Sequence, residues 1–243
     1  MISHARYRLL LSGLFLLVWG ALAISPFDRH DWMLENILAV FFALALAASF
    51  HYLPLSRISY TLIFVYLCLH SVGAHYTYSN VPYDDWFVSA FGASLNELMG
   101  WQRNNYDRVV HFCYGLLLAY PIRELFLRIA DVRGFWGYFL PLDVTMSTSM
   151  LFELLEWAVV EIVASDLGAT YLGLQGDVWD FHKDMALASL GALIAMLLTI
   201  LLNSRLQHDF AREWVDSLRV KHPDPLGEDE IARLIDRPEH KTG

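Results

Sequence analysis

The chain has 243 residues, of which 56% are hydrophobic and 18% charged, and its formal net charge is −9 at pH 7. Soluble domains are typically about 45–50% apolar and about 25% charged, and the apolar excess here lies in long runs that are typical of membrane spans. The negative charge and the lack of a basic cluster argue against nucleic acid as a partner. Cys68 and Cys113 lie inside apolar runs without CxxC or zinc-type spacing, so they indicate no redox compartment.

Six apolar stretches are each long enough to cross a bilayer, which takes roughly 20 residues. They run over 7–24, 36–53, 58–75, 108–127, 142–163 and 184–203. We therefore predict an all-α polytopic membrane protein with about six transmembrane helices and a membrane domain over residues 1–203. The first stretch follows Arg6 and Arg8, but it is long for the core of a signal peptide, and we expect a retained span.

Basic residues in the connecting segments predict the orientation. With the N-terminus inside, the inner segments hold thirteen of the seventeen Lys and Arg residues, and the outer segments hold only Arg29, Arg103, Arg108 and Lys183. We expect a multi-pass protein of the bacterial inner membrane, with both termini in the cytoplasm and the outer face toward the periplasm.

Two further segments have amphipathic patterns. Residues 76–102 carry apolar side chains at roughly helical spacing, which predicts an interfacial helix that either roofs a polar site or only anchors the chain. Residues 204–243 begin with an apolar stripe at Leu206, Phe210, Trp214 and Leu218, which predicts a cytoplasmic helical tail. We expect this tail to lie on the membrane surface or against inner loops, and its last residues to be disordered.

The predicted topology brings ionisable residues to the outer ends of four spans. Charged groups at membrane depth are costly unless they are paired or used, so their convergence predicts a polar site at the outer face. The candidate catalytic residues are Asp107, His111, Glu153, Glu156, Asp177, Asp180 and Asp184, and the candidate substrate-binding residues are His75, Asn105, Tyr106, Arg108, Gln175 and Lys183.

Asp107 and His111 are four residues apart, and hence one turn apart if they lie on a helix. A carboxylate that orients an imidazole is typical of a general base or a nucleophile. The alternative is structural, with Asp107 paired to a neighbouring arginine and His111 simply packed. Glu153 and Glu156 share a helix face, where their charges would repel unless a metal or a cation such as Arg108 lay between them.

Asp177, Asp180 and Asp184 are spaced to lie on one helical stripe, and Asp177 is also a candidate N-cap for that helix. Gln175 precedes them between glycines, where a ligand could approach the backbone closely. Carboxylates with a histidine suit a divalent cation such as magnesium, calcium or manganese, whereas Arg108 and Lys183 suit a phosphate. Membrane lipids are the expected partners, and no segment indicates a particular protein partner.

Three segments carry a resemblance to a known family. NNYDRVVHF (104–112), ELLEW (153–157) and LQGDVWDFHKDM (174–185) resemble the YjdF family of bacterial inner-membrane proteins, over about residues 7 to 203. The resemblance implies the membrane fold and no reaction. That family favours TQGD where this chain has LQGD, so position 174 is not expected to carry chemistry.

The stretch DRVVHF (107–112) is also similar to a pattern in VanZ-like proteins of the lipocone superfamily. That similarity implies a pocket, lined by Asp107, His111 and a downstream acid, that acts on lipid head groups.

Three functions remain open from the sequence. The first is an enzyme for a lipid or lipid-linked phosphate, with His111 as base or nucleophile. The second is a small transporter or proton-coupled permease, because intramembrane acids and histidines form proton relays; crowding of these residues at one side argues against a path across the membrane. The third is a non-catalytic scaffold whose acids form structural ion pairs.

Overall fold

The computed structural model describes residues 3–163, 175, 177–221 and 227, and within these ranges the protein is all-helical. The prediction of an all-α polytopic membrane protein is therefore confirmed. The helices are α1 (His4–Leu22), α2 (Arg29–Ser49), α3 (Arg57–His75), α4 (Tyr83–Phe91), α5 (Leu95–Met99), α6 (Tyr106–Ile129), α7 (Trp136–Val163), α8 (Asp180–Leu206) and α9 (Phe210–Ser217).

Five of these helices are long and apolar enough to cross a membrane, namely α1, α2, α3, α6 and α8. The remaining long helix, α7, has 28 residues and covers the fifth predicted span, but it also contains acids such as Glu153 and Glu156. The count of six spans and the domain boundary at residue 203 stay predictions. The expected disordered end of the tail lies outside the described residues, as do Leu174 and Gly176.

The first three helices each begin at a side chain that caps the free backbone N–H groups of the first turn. Ser3 Oγ accepts from Arg6 N, Asp28 Oδ1 accepts from His30 N and Asp31 N, and Ser56 Oγ accepts from Ser59 N. Because α2 already begins at Arg29, it takes in about two helical turns more than the apolar run that starts at Asn36.

Helix α6 is the centre of the bundle, since it packs against α3, α7 and, most extensively, α8. Two glycines allow α6 and α8 to touch backbone to backbone. A Cβ at Gly115 would lie 1.8 Å from the carbonyl oxygen of Ala188, and one at Gly191 would lie 2.1 Å from that of Phe112. Small residues at a membrane helix crossing permit such an approach. The crossing therefore holds the first turns of α6 and α8 side by side.

The bundle has two ends, which we name by what they contain. The N-terminal end holds the start of α1, and there Arg8 Nη1 donates to the carbonyl oxygen of Phe50. The opposite end, called the site end, holds the starts of α6 and α8, and there Phe27 N donates to the carbonyl oxygen of His75. Most apolar side chains of α1 and α2 are exposed, as expected for surfaces that face lipid.

The connection at the site end differs from the single interfacial helix that the sequence predicts. Gly92, at φ +74°, ends α4, and α5 follows as a separate short helix. The carboxylate of Asp84 accepts from Asn96 N at 2.9 Å and from Ser94 Oγ at 2.8 Å, which fixes the angle between the two pieces. These hydrogen bonds, led by the one from Asn96 N, lower the pKa of Asp84.

The tail helix α9 packs against protein at the N-terminal end. Phe210 and Trp214 contact the ring of Tyr138, with centroids 6.3 and 5.9 Å away. Ser217 Oγ accepts from Phe135 N at 2.9 Å. Phe210 and Trp214 therefore pack the tail helix against the start of α7, and its place relative to the membrane stays a prediction.

Candidate functional site

The loop before α6 is fixed by two of the predicted substrate-binding residues. Gln175 Oε1 accepts from Asn104 N at 3.0 Å, and Gln175 Nε2 donates to the carbonyl oxygen of Asn104 at 3.1 Å. Tyr106 Oη donates to the carbonyl oxygen of Leu69 at 2.9 Å, which joins α6 to α3. Both side chains thus have structural hydrogen bonds that hold the start of α6 in place.

Five charged residues at the site end form what we call the ion-pair cluster: Arg103, Arg108, Asp177, Asp180 and Lys183. Asp180 Oδ1 lies 2.5 Å from Arg103 Nη1 and 3.1 Å from Arg108 Nη2. Asp177 Oδ2 lies 2.5 Å from both Arg108 Nη2 and Lys183 Nζ. Asp180 is only 2% exposed, so its charge is balanced by arginine rather than by water.

Two other nitrogens of the Arg108 guanidinium, Nη1 and Nε, differ in whether they have a hydrogen-bond partner. Its Nη1 donates to Asn105 Oδ1 at 3.1 Å, which places the predicted residue Asn105 beside the cluster. Its Nε is buried and makes no hydrogen bond to any described residue. Arg108 is therefore bound to its neighbours on one side and retains one unused N–H.

The N-cap and single-stripe predictions for Asp177 are wrong. Helix α8 begins at Asp180 with Trp179 in the N-cap position, and Asp177 stands before the helix. Its Oδ1 accepts from Trp179 N at 3.1 Å, so the carboxylate caps the preceding turn instead. The Lys183 ammonium and then the Trp179 N–H lower the pKa of Asp177 to about 2. Only Asp180 and Asp184 share a face of α8.

Four other predicted residues form what we call the acid–histidine cluster: Asp107, His111, Glu153 and Asp184. His111 Nε2 lies 3.4 Å from Asp107 Oδ1 and 3.3 Å from Glu153 Oε1, so one ring nitrogen faces two carboxylates. One ligand atom each from Asp107, His111 and Asp184 lie within 4.8 Å of one another. Glu153 and Asp184 are 4% and 2% exposed.

Two oxygens of this cluster form no hydrogen bond within the described chain, although one of them, Glu153 Oε1, is within ion-pair distance of His111 Nε2. Glu153 Oε1 and Asp184 Oδ1 are both buried and make no hydrogen bond to any described residue. A buried acceptor without a partner costs about 1–3 kcal/mol, and more when it is charged. No Lys or Arg of the described chain lies within 4 Å of either carboxylate, in contrast to the adjacent ion-pair cluster.

Two more glutamates surround the acid–histidine cluster. Glu35 and Glu156 are each close enough to interact electrostatically with Asp107, His111 and Glu153. Glu156 was among the predicted residues, whereas Glu35 was missed because the second span was taken to begin at Asn36. The signal available in the sequence was Asp28, an N-cap residue type seven positions earlier.

The structure does not bring His75 to either cluster. Its Nδ1 lies 2.7 Å from the carbonyl oxygen of Leu22, and its ring is perpendicular to that of Tyr76. His75 therefore ties the ends of α1 and α3 together. His70, earlier on α3, has Nε2 3.1 Å from the carbonyl oxygen of Glu35 and Nδ1 2.5 Å from Tyr78 Oη.

Comparison with known proteins identifies the family. Residues 7–205 match the family described as "Predicted membrane protein (DUF2238)". The chain is 36% identical over 176 residues to "Inner membrane protein YjdF" of Escherichia coli (strain K12), covering 72% of this chain and 79% of that protein. No solved structure matches the chain. This chain therefore belongs to the DUF2238 family of integral membrane proteins, and it is similar to YjdF.

Proposed function

We propose that the acid–histidine cluster is a membrane-embedded site that holds a divalent cation and acts on the phosphate-bearing head group of a lipid or lipid-linked substrate. The carrying observation is the convergence of Asp107, His111 and Asp184 within 4.8 Å, next to two buried carboxylate oxygens that lack donors. Like charges this close repel each other, and a divalent cation would offset that repulsion.

The geometry supports a different role for His111 from the base or nucleophile expected above. Its Nε2 faces both Asp107 and Glu153, so this nitrogen is directed into the cluster rather than toward a substrate. As a ligand, Nε2 would join carboxylate oxygens around a cation such as magnesium or manganese. Glu153, whose Oε1 lacks a donor, would then be the group that accepts a proton.

The neighbouring ion-pair cluster supports a phosphate-bearing substrate. Arg108 has one buried N–H without a partner, and a guanidinium suits phosphate oxygens. A cation held by the acid–histidine cluster would polarise the same phosphate and favour attack of water at phosphorus, with the lipid alcohol as leaving group and Glu153 accepting the proton of the water. Asp180 is committed to Arg103 and Arg108, so we assign it and Asp177 to positioning rather than to proton transfer.

The relatives and the charge distribution support the location. The similar protein is named an inner membrane protein, and we propose the same membrane here. Thirteen of seventeen Lys and Arg residues lie in segments assigned to the cytoplasm, so we propose that both termini lie there and that the site faces the periplasm. The similarity of DRVVHF (107–112) to VanZ-like proteins supports a lipid head group as substrate.

The test uses the full chain in lipid nanodiscs. We expect Mn²⁺, detected by electron paramagnetic resonance, to bind in about one copy to the wild type and to be lost in Asp184→Asn and His111→Ala. His182→Ala is the matched control, because that histidine is exposed on the same turn of α8. Phosphate release from the phosphomonoester lipids phosphatidic acid and polyprenyl monophosphate is then measured with the same variants. Cation binding that survives both cluster variants would contradict the proposed site.

A second candidate function is proton-coupled transport. It is favoured by Glu35 and Glu156, which add two titratable groups to the acids around His111. Proteoliposomes with a pH-sensitive dye separate the two functions. A proton flux that Glu35→Gln abolishes, without any phosphate release in the wild type, would replace the lipid-processing function with this one.

A further inference from the structure

A polar cavity lies at the N-terminal end, at the opposite end of α6 from His111. Its volume is about 430 Å³, and α6, α7, α8 and the tail helix α9 all contribute to its walls. Its polar lining includes Arg123, Tyr138, Asn203, Gln207 and Glu213. The cavity is distinct from both clusters at the site end and takes no part in the function proposed above.

Arg123 is the wall residue with an unsatisfied charge. Its guanidinium lies over the ring of Tyr138, 4.5 Å from the centroid, and its Nε is buried without a hydrogen bond to any described residue. The arginines that follow it in sequence are paired, Arg128 with Glu124 and Arg133 with Asp131. In the described chain, no carboxylate lies within 4 Å of the Arg123 guanidinium. An arginine at membrane depth without an anion is costly, so this cavity favours an anionic occupant.

The other walls suit an oxyanion better than a carbon chain. Tyr138 Oη accepts from Asn203 Nδ2 at 2.8 Å, which holds the ring beneath the guanidinium. Gln207 adds an amide to the rim, and Glu213 is the acid that α9 contributes to the wall. A planar guanidinium with neighbouring amides is a donor arrangement that binds phosphate well.

Exposed apolar side chains lie close in sequence to lining residues of the cavity. Leu206 at the end of α8 is 76% exposed, Leu218 after α9 is 53% exposed, and Ile129 at the end of α6 is 71% exposed. Phe210 and Trp214 are the apolar residues of α9 that pack on Tyr138. Leu206, Leu218 and Ile129 remain exposed and available to acyl chains. A phosphate in a polar cavity beside exposed apolar side chains is the environment that an interfacial phospholipid requires.

We infer that this cavity binds the phosphate of an anionic phospholipid through Arg123, with α9 as one wall of the site. The tail is thereby a lipid-responsive element, since the ligand contacts both α6 and α9. Glu213 on the wall opposes an anion and weakens binding, so its removal and the removal of Arg123 have opposite effects.

Native mass spectrometry of the full chain in neutral detergent tests this inference, with phosphatidylglycerol and phosphatidylcholine as probes. We expect the wild type to bind the first phosphatidylglycerol more tightly than phosphatidylcholine, and Arg123→Gln to weaken it about tenfold through loss of a charge-assisted contact. Arg212→Gln is the matched control, because Arg212 lies on α9, is 83% exposed and is paired with Asp216. We expect it to leave the affinity unchanged.

A second variant and a competition experiment complete the test. Glu213→Gln is expected to tighten phosphatidylglycerol binding a few-fold, which tests the site even if Arg123→Gln does not fold. If millimolar inorganic phosphate displaces phosphatidylglycerol, the cavity is an anion site whose ligand is soluble phosphate. If phosphatidylglycerol stays bound under these conditions, the ligand is the lipid. Equal affinity of wild type and Arg123→Gln for phosphatidylglycerol, or weaker binding by Glu213→Gln, would overturn the inference.

Discussion

The ion-pair cluster and the acid–histidine cluster lie side by side at the same end of the bundle, yet they differ in charge balance. In the first, Arg103, Arg108 and Lys183 contact two aspartates. In the second, three carboxylates surround His111, and no Lys or Arg of the described chain lies within 4 Å of Glu153 or Asp184. A buried carboxylate with its cation contributes to a stable arrangement, whereas buried carboxylates without one depend on a proton or a bound ion. Burial alone therefore does not distinguish a structural acid from a functional one.

The largest expected effect comes from a substitution that disrupts the ion-pair cluster. Asp180→Asn removes the buried carboxylate that contacts both Arg103 and Arg108, and it leaves Asp177 as the one aspartate of the ion-pair cluster to balance them. Removing one partner of a buried pair typically costs about 3–5 kcal/mol, so we expect a clear drop in the thermal unfolding midpoint of the purified protein.

Asp85→Asn, an exposed position on α4, is the control for this loss and is expected to change little. An unfolding midpoint for Asp180→Asn equal to that of Asp85→Asn would show that the ion-pair cluster is not structural.

The next effect acts on both clusters together. The Cβ that Gly191→Val adds would lie 2.1 Å from the carbonyl oxygen of Phe112, so the substitution would push α6 away from α8. Such overpacking costs about 1–3 kcal/mol, and we expect Mn²⁺ binding to fall with it. Gly13→Val on α1, where a Cβ meets nothing within 4 Å, is the matched control. If Gly191→Val kept the Mn²⁺ affinity of the wild type, the helix crossing would not determine the geometry of the acid–histidine cluster.

An effect of opposite sign is expected at Asp184. In the presence of a chelator, Asp184→Asn should raise the unfolding midpoint, because it removes one of several like charges and replaces a buried carboxylate oxygen with an amide NH2 group that can donate to a neighbouring carboxylate. We expect a gain of about 1 kcal/mol, together with loss of any stabilisation by Mn²⁺. Destabilisation comparable to that of Asp180→Asn would erase the distinction between the two clusters.

The smallest effect concerns pH. The folded pKa of Asp177 lies near 2, below its ordinary value of 3.8, so its contribution to stability is present above about pH 4. That contribution is lost as the pH falls from about 4 toward 2, because the protonated acid no longer pairs with Lys183. We expect the midpoint of the wild type to fall more steeply over this window than that of Asp177→Asn. Parallel curves would contradict the pairing.

The fold was predictable from sequence because long apolar runs require helices, and the ends of those runs carry most of the ionisable residues. Local detail was less accessible. Glu35 was missed because hydropathy marks the apolar part of a helix, whereas α2 begins about two turns earlier, after its cap at Asp28. The break at Gly92 depends on the side chain of Asp84, which is bonded to a segment ten residues further along.

The division of the acids into two clusters could not be read from spacing. Asp180 and Asp184 are one turn apart on the same helix, yet Asp180 contacts arginines and Asp184 contacts none in the described chain. The difference arises from which residues of α6 and its preceding loop lie opposite each aspartate. That pairing depends on how α6 and α8 cross, and a one-dimensional pattern does not contain it.

The glycine crossing of α6 and α8 has a consequence for ion selectivity. Where backbones touch at Gly115 and Gly191, no flexible side chain separates the helices, so the spacing between the first turns of α6 and α8 cannot readily expand. A set of ligands at fixed spacing discriminates between cations by ionic radius, and magnesium and manganese demand shorter oxygen contacts than calcium. We therefore expect larger alkaline-earth ions to compete poorly with Mn²⁺, and replacement of these glycines by larger residues to change the preferred ion as well as the affinity.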